Sequence, residues 1–316
     1  MHLTLAPLKG FTEAPYRNAA AAFFKGFDAA MAPFVVTILG RKYPNTHLKD
    51  LLPENNHGWP VIPQVLSNDA AGFVKLAGHL CDLGYDTINW NLGCPFPRVA
   101  KKSRGSGLLP HPDKIDRILD QVLSKVPVRL SIKTRIGRFD PEEMETLLPV
   151  FNRYPLAELI VHPRTGVQMY TGQPDLEVFG KCLELSQHPV VYNGDIYTVA
   201  DFTALADRFA SVDRWMLGRG ALADPFLPGA IKGPDIPHVE KLDIIRRFHD
   251  RLFAAYAEIL SGPSHLGDKM KGFWLYLSCS FADGRKILKK IQKTRKTDHY
   301  TDVVKRFFDS GPTWIS

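Results

Sequence analysis

Over the first 220 residues, short apolar runs alternate with longer stretches whose apolar residues recur every three or four positions. The runs lie at 3–5, 29–32, 61–66, 87–91, 128–134, 158–162, 190–193 and 214–217. They are nearly continuous in apolar residues, which is the pattern of strands covered on both faces in a parallel sheet. Between them, 69–83, 113–124, 141–152 and 198–209 read as helices. Asn68-Asp69, Pro112-Asp113, Asp140-Pro141-Glu142 and Thr198 stand at their starts, where polar caps, Pro and acids suit the unpaired amides of a first turn. Eight strands with intervening helices predict an α/β protein of the (β/α)8 TIM-barrel class. A doubly wound open sheet is the alternative, and it is weakened because no Gly-x-Gly-x-x-Gly follows the first strand.

The pattern changes after Pro228. Residues 231–238 are rich in helix breakers and read as a linker. Beyond it Leu242, Ile245, Phe248, Leu252, Tyr256 and Ile259 mark one face of an amphipathic helix. The stretches 269–281, 285–293 and 298–308 read as further helices. The expected organisation is a barrel at 1–230 followed by a helical domain at 239–316.

Composition narrows the class. With 45% hydrophobic and 23% charged residues, wholesale disorder is excluded. No apolar run approaches the ~20 residues that span a bilayer, and the first residues lack the pattern of a secretory signal. The four cysteines, at 81, 94, 182 and 279, form no C-x-x-C pair. Neither a zinc site nor a disulfide framework is expected, and a reducing cytoplasmic setting fits. The net charge of +7 is unevenly placed, with 16 cations against 10 anions in 232–316 and near balance before. Residues 285–296 hold seven cations and no anion. Such a cluster either forms a solvated helix face or attracts a polyanion such as nucleic acid.

Reactive groups of a TIM barrel gather at the C-terminal ends of its strands. Those ends carry Pro7-Leu8-Lys9, Gln64, Asn91-Leu-Gly-Cys94, Lys133 with Arg135, His162 with Arg164, Asn193-Gly-Asp195 and Gly218-Arg-Gly220. Polar groups ending buried strands are costly unless paired or bound to something, and seven at one end exceed what packing explains. The glycine turns at 194 and 218–220 suit a phosphate. Lys133 points inward to a ligand or outward to solvent. Cys94 is either a buried structural thiol or a loop thiol serving as nucleophile or proton donor.

Taken in order, these motifs resemble those of the tRNA-dihydrouridine synthase family. Asn91-Leu-Gly-Cys-Pro95 resembles its N-x-G-C-P signature, and Leu5-Ala-Pro-Leu-Lys-Gly10 its opening A-P-M segment. Ile132-Lys-Thr-Arg-Ile-Gly137, Val161-His-Pro-Arg-Thr165, Asn193-Gly-Asp-Ile196 and Gly218-Arg-Gly220 resemble the remaining elements. The segment 269–276 resembles the bacterial subfamily that modifies U16. The resemblance implies FMN contacts from Pro7, Leu8, Gln64, Lys133, His162, Asn193, Gly194, Asp195, Gly218 and Arg219. It implies Cys94 as general acid, NADPH as reductant, and uridine contacts from Asn91, Arg135 and Arg164. It further implies tRNA as partner, met by Lys289, Lys290 and Lys293, for a monomer that needs no metal and no membrane. A flavin-dependent reductase of a free pyrimidine, of the dihydroorotate dehydrogenase type, is the alternative. The sequence departs from the family at Ala32-Pro33, where many members carry Thr-Glu, at Arg98, where Lys is common, and at Leu8, where Met is usual.

Overall fold

In the computed structural model, which describes residues 1–38 and 45–316, ten parallel strands form one sheet. They are β1 (His2–Leu5), β2 (Ala29–Met31), β3 (Val35–Val36), β4 (Val61–Ile62), β5 (Gln64–Leu66), β6 (Thr87–Leu92), β7 (Arg129–Arg135), β8 (Leu159–His162), β9 (Val190–Tyr192) and β10 (Arg214–Leu217). The ladder runs β3-β5-β6-β7-β8-β9-β10-β1-β2-β4. Its two ends meet through the chain itself, because β4 and β5 flank Pro63. Ile62 pairs with Met31 of β2 while Gln64 pairs with Asn89 of β6. The segments 29–36 and 61–66 are therefore single staves, each interrupted where a proline has no N–H to give the ladder. Counted by staves, the sheet is an eight-membered (β/α)8 barrel. The expected strand at 61–66 divides at Pro63, and Val35–Val36 was too short to be legible.

Strand alternation sorts the side chains. Ile88, Trp90 and Leu92, like Leu130 and Ile132, are fully buried outward against the helices. Inward positions form a separate small cluster of Ala6, Met31, Ile160, Val191 and Met216, with Ile62 against it. The expected helices occur as Ala70–Asp82, Pro112–Leu123, Glu143–Asn152 and Val199–Arg208. Asp69 caps the first, its side chain accepting from the Gly72 N–H. Thr198 and Asp201 form a reciprocal capping box on the last. Two helices outside the expected set also form: Ala14–Phe23, with Pro15 in its first turn and no side-chain cap, and Leu176–Leu185, which Asp175 caps by accepting from the Val178 N–H.

Beyond the coil at 233–237 follow helices His238–Ile259, Pro263–Leu277, Gly284–Gln292 and Thr297–Asp309. They pack on the barrel through aromatics. Tyr16 stacks on Phe273 with centroids 5.4 Å apart and meets Phe248 edge-on at 5.9 Å. Lys269 Nζ pairs with Glu13 at 2.7 Å and donates to the Gly10 carbonyl at 3.0 Å. No helix among the described residues is long and apolar enough to cross a membrane.

Because Thr198 satisfies an amide that nothing else reaches, Thr198→Ala lowers unfolding free energy by about 1 kcal/mol. A urea titration followed by circular dichroism reads this as a lower midpoint with unchanged slope.

Candidate active site

The C-terminal ends of the strands converge on a cavity of about 70 Å³ lined by Pro7, Leu8, Lys133, His162, Asn193, Gly194, Asp195, Gly218 and Arg219, among others. Nine of the residues singled out from sequence thus meet at one place. Two larger hollows are also present: one of about 990 Å³ lies beside the first two strand ends, lined by Lys9, Pro33 and Phe34 together with Asp50 and Arg251, and one of about 770 Å³ lies between helices Glu143–Asn152 and Leu176–Leu185. Gln64 lies below the cavity in the lumen, fully buried. Lys289, Lys290 and Lys293 stand apart from the cavity, exposed on and just after the Gly284–Gln292 helix.

Register explains the lining. Asn91 pairs with Lys133, Lys133 with Ile160 and Arg135 with His162, so these side chains share the lumen side of the sheet. Lys133 has no hydrogen-bond or ion-pair partner among the described residues. Its burial and the nearby Arg135 lower the ammonium from its usual 10.5 to about 7. An unpaired amine held in a cavity is a group awaiting an acceptor. His162 is pushed well below its ordinary value by burial, then by Arg135, Lys133, Arg164 and Arg219. Arg164 Nη1 lies 3.2 Å from His162 Nε2. A neutral imidazole facing an arginine must accept there, so the ring proton sits on Nδ1.

Asp195 ties two turns together. It takes Arg164 Nη2 at 2.6 Å and Arg219 Nη2 at 2.6 Å. Arg164 also donates to the Thr171 and Gly172 carbonyls, which fixes the loop that carries Tyr170. Arg219 stacks over Tyr170 at 4.8 Å and near Tyr197 at 5.8 Å, and the Arg135 guanidinium lies 5.3 Å from the Tyr170 centroid. The backbone N–H groups of Gly194, Asp195 and Arg219 donate to nothing among the described residues. A Cβ at Gly220 would stand 1.9 Å from the Ile196 carbonyl oxygen, so only glycine lets the seventh and eighth turns approach this closely. Free amides, an arginine and glycine turns at one end, with an unpaired amine and a neutral imidazole at the other, suit a planar heterocycle that ends in a phosphate.

Cys94 is half-buried beside this cavity. Burial raises its thiol above the usual value, against the opposing pull of the Phe96 N–H, Arg135 and Lys133. The thiol is therefore protonated at neutral pH. Its loop is pinned from several sides. The Gly93 and Cys94 N–H groups donate to Asn91 Oδ1, Arg135 Nε donates to the Gly93 carbonyl at 3.0 Å, and the Ser106 N–H and hydroxyl donate to the Cys94 carbonyl. Gly105, at φ +55°, allows the 104–106 turn to lie against Cys94, where a Cβ would come 2.7 Å from its carbonyl oxygen. Sequence reasoning missed Tyr170, Tyr197 and Tyr276. The first two line the cavity, and the electrostatics of Tyr276 are felt from Arg219 and Tyr170. No group of metal-ligating side chains occurs among the described residues.

The model of the dihydrouridine synthase (Dus) family matches residues 4–279. The chain is 28% identical over 239 residues to the tRNA-dihydrouridine(16) synthase of Ralstonia nicotianae, covering 73% of this chain and 72% of that protein. It is 26% identical over 295 residues to the tRNA-dihydrouridine(16) synthase of Pseudomonas putida, covering 90% of each. It is 30% identical over 230 residues to the tRNA-dihydrouridine synthase B of Xanthomonas campestris, covering 72% and 68%. Among solved structures, the old yellow enzyme homologue from Zymomonas mobilis superposes with TM-score 0.53 at 13% identity, covering 78% of this chain and 92% of that one. A morphinone reductase in complex with tetrahydroNAD gives 0.53 at 10% identity, over 73% and 86%. At such identities the likeness is one of fold.

The lowered Lys133 value has a defined sign. Folded, the amine binds its proton only below about 7, whereas the unfolded chain holds it to ~10.4. The unfolded state therefore binds more protons between these limits, and stability rises with pH across that window. The urea midpoint of cofactor-free wild type is expected to climb relative to Lys133→Met between pH 7 and pH 10. A pH-independent difference contradicts the burial of an unpaired amine.

Proposed function

The chain belongs to the dihydrouridine synthase family, and we propose that it reduces the C5–C6 double bond of a uridine in the D-loop of tRNA, with FMN as its flavin and NADPH as reductant. The observation that carries this reading is the meeting of a protonated thiol with an unpartnered amine, a neutral imidazole and free backbone amides at one strand-end cavity. Lys133 and His162 would hold the flavin ring, with Pro7, Leu8 and Asn193 along it and Gln64 beneath. The Gly194, Asp195, Gly218 and Arg219 turns would hold its phosphate. The present cavity of about 70 Å³ is far below the ~300 Å³ at which ligand sites begin. A bound flavin would therefore need lining side chains to move, and the part-exposed Arg219 and Tyr170 are placed to do so. Held there and reduced by NADPH, a flavin would supply the hydride that uracil C6 receives.

The protein's own part is the proton. Cys94 reaches neutral pH protonated, and a thiol so poised donates to C5 as electron density gathers there. Arg135 and Asn91 flank that point, and Arg164 braces the loop beside them. An anionic ring beside Lys133 would favour the ammonium form of the amine, placing positive charge where the ligand needs it. The target base must leave its stack to reach the barrel mouth, and Tyr170, Tyr197 and Tyr276 offer rings for it and its neighbours. Residues 1–230 form the catalytic barrel in this reading, while 239–316 bind RNA through the exposed Lys289, Lys290 and Lys293. The names of the Ralstonia and Pseudomonas relatives favour position 16. The protein acts as a monomer in the cytoplasm, where tRNA and NADPH are found.

Anaerobic addition of NADPH bleaches the yellow enzyme, and unmodified tRNA then restores the colour. In Cys94→Ala the bleaching persists and recolouring by tRNA slows by about 10²–10⁴. Recolouring at the wild-type rate removes Cys94 as proton donor, and recolouring by free uridine or orotate without RNA favours the small-molecule reductase instead. Replacing Lys289, Lys290 and Lys293 together with Ala weakens tRNA binding and flattens its salt dependence by up to about three units of slope, measured by filter binding across salt concentrations, while NADPH oxidation is unchanged. Unaltered affinity marks the cluster as a solvated face.

A further inference from the structure

Beneath the mouth, the lumen carries a chain of hydrogen bonds that the chemistry above leaves unused. The Gly93 and Cys94 N–H groups donate to Asn91 Oδ1 at 3.1 and 2.9 Å. Asn91 Nδ2 donates to Gln64 Oε1 at 2.7 Å. Gln64 Nε2 donates to Asn89 Oδ1 at 2.8 Å, and Asn89 Nδ2 donates to Ser131 Oγ at 2.8 Å. The Ser131 hydroxyl faces the Ile88 carbonyl at 3.5 Å. Gln64, Asn89 and Ser131 are fully sealed from solvent and Asn91 nearly so.

All donors along this chain point the same way, from the Cys94 loop toward the barrel floor. A lone carboxamide can be turned end for end. Here a backbone N–H can only donate, so the oxygen of Asn91 must face Cys94, and each following amide is fixed in turn. Removing the Ser131 hydroxyl leaves Asn89 Nδ2 without an acceptor in a dry site. Relief by flipping Asn89 forces Gln64 and then Asn91 to flip, which turns Asn91 Nδ2 against the Cys94 N–H and frees the loop. Burial makes either outcome costly.

We infer that Ser131 and Asn89 are positioning residues for the Cys94 thiol, acting through Gln64 and Asn91. The assignment rests on Cys94 as proton donor. Neither residue reaches the reacting base, since both lie one inward step below Lys133 and Asn91 along their strands.

The test uses NADPH-reduced holoenzyme and unmodified tRNA in single turnover. Ser131→Ala is expected to slow uridine reduction by about ten- to a hundredfold, as small misplacements of reacting groups do. The tRNA concentration dependence stays unchanged, and flavin bleaching, which Gln64 touches only from beneath, slows far less than uridine reduction. Ser131→Thr, which keeps the hydroxyl, restores the rate. In the same samples, iodoacetamide labelling of Cys94, resolved by peptide mass spectrometry against the exposed Cys279, rises several-fold in Ser131→Ala. Asn89→Ala shows the same pattern and serves if Ser131→Ala folds poorly. Wild-type reduction with unchanged Cys94 labelling in a folded Ser131→Ala overturns the inference, as does equal impairment of the Ala and Thr variants. An inactive Cys94→Ala beside an unimpaired Ser131→Ala refutes only the positioning role. A fully active Cys94→Ala refutes the proton-donor reading and the inference with it.

Discussion

A strand in a closed barrel turns every second residue into the lumen, and that lumen must be filled without water. This chain meets the constraint unevenly around the ring. Staves β8, β9, β10, β1 and β2 contribute Ile160, Val191, Met216, Ala6 and Met31, which pack as an apolar half. Staves β5, β6 and β7 contribute Gln64, Asn89, Asn91, Ser131 and Lys133. The polar half survives burial because its amides and hydroxyl satisfy one another. Of these five side chains, Lys133 alone, at the top of that half, has no hydrogen-bond partner among the described residues. The same alternation that closes the floor thus delivers one unpaired cation and one pinned thiol loop to the mouth.

From this asymmetry the electrostatics of the site follow. Three guanidinium groups and an amine crowd around His162, and Asp195 answers two of the arginines. The cluster stays compact through its own ion pairs and through Tyr170, whose ring both Arg135 and Arg219 approach. Arg164 is bidentate on the Asp195 carboxylate and almost fully buried, whereas Arg219 meets it through a single nitrogen and is a quarter exposed. In the proposed reading, Arg219 would be the arginine that trades Asp195 for a ligand phosphate.

Much of this was legible from residue pattern, for physical reasons. Buried parallel strands need continuous apolar runs, so the staves announced themselves, and caps such as Asp69 and Thr198 marked helix starts. What was lost depends on partners distant in sequence. The division of 61–66 follows from Pro63 meeting two different neighbours, and the Val35–Val36 strand exists only because β5 lies beside it. The Asp195 ion pairs span 31 and 24 residues and leave no local trace. Tyr170 and Tyr276 sit in a loop and a helix outside the strand ends, so no periodicity pointed to them. The spacing of Asn89 with Asn91, and of Ser131 with Lys133 and Arg135, did carry the lumen pattern. It becomes readable as a relay only once register sets β6 beside β7.

The most direct measurement is nucleotide-resolved mass spectrometry of tRNA that lacks dihydrouridine, after incubation with the purified yellow protein and NADPH. The account predicts a gain of two mass units at one D-loop uridine, absent when NADPH is withheld. NADPH consumed with every nucleotide of the tRNA unchanged in mass would contradict it.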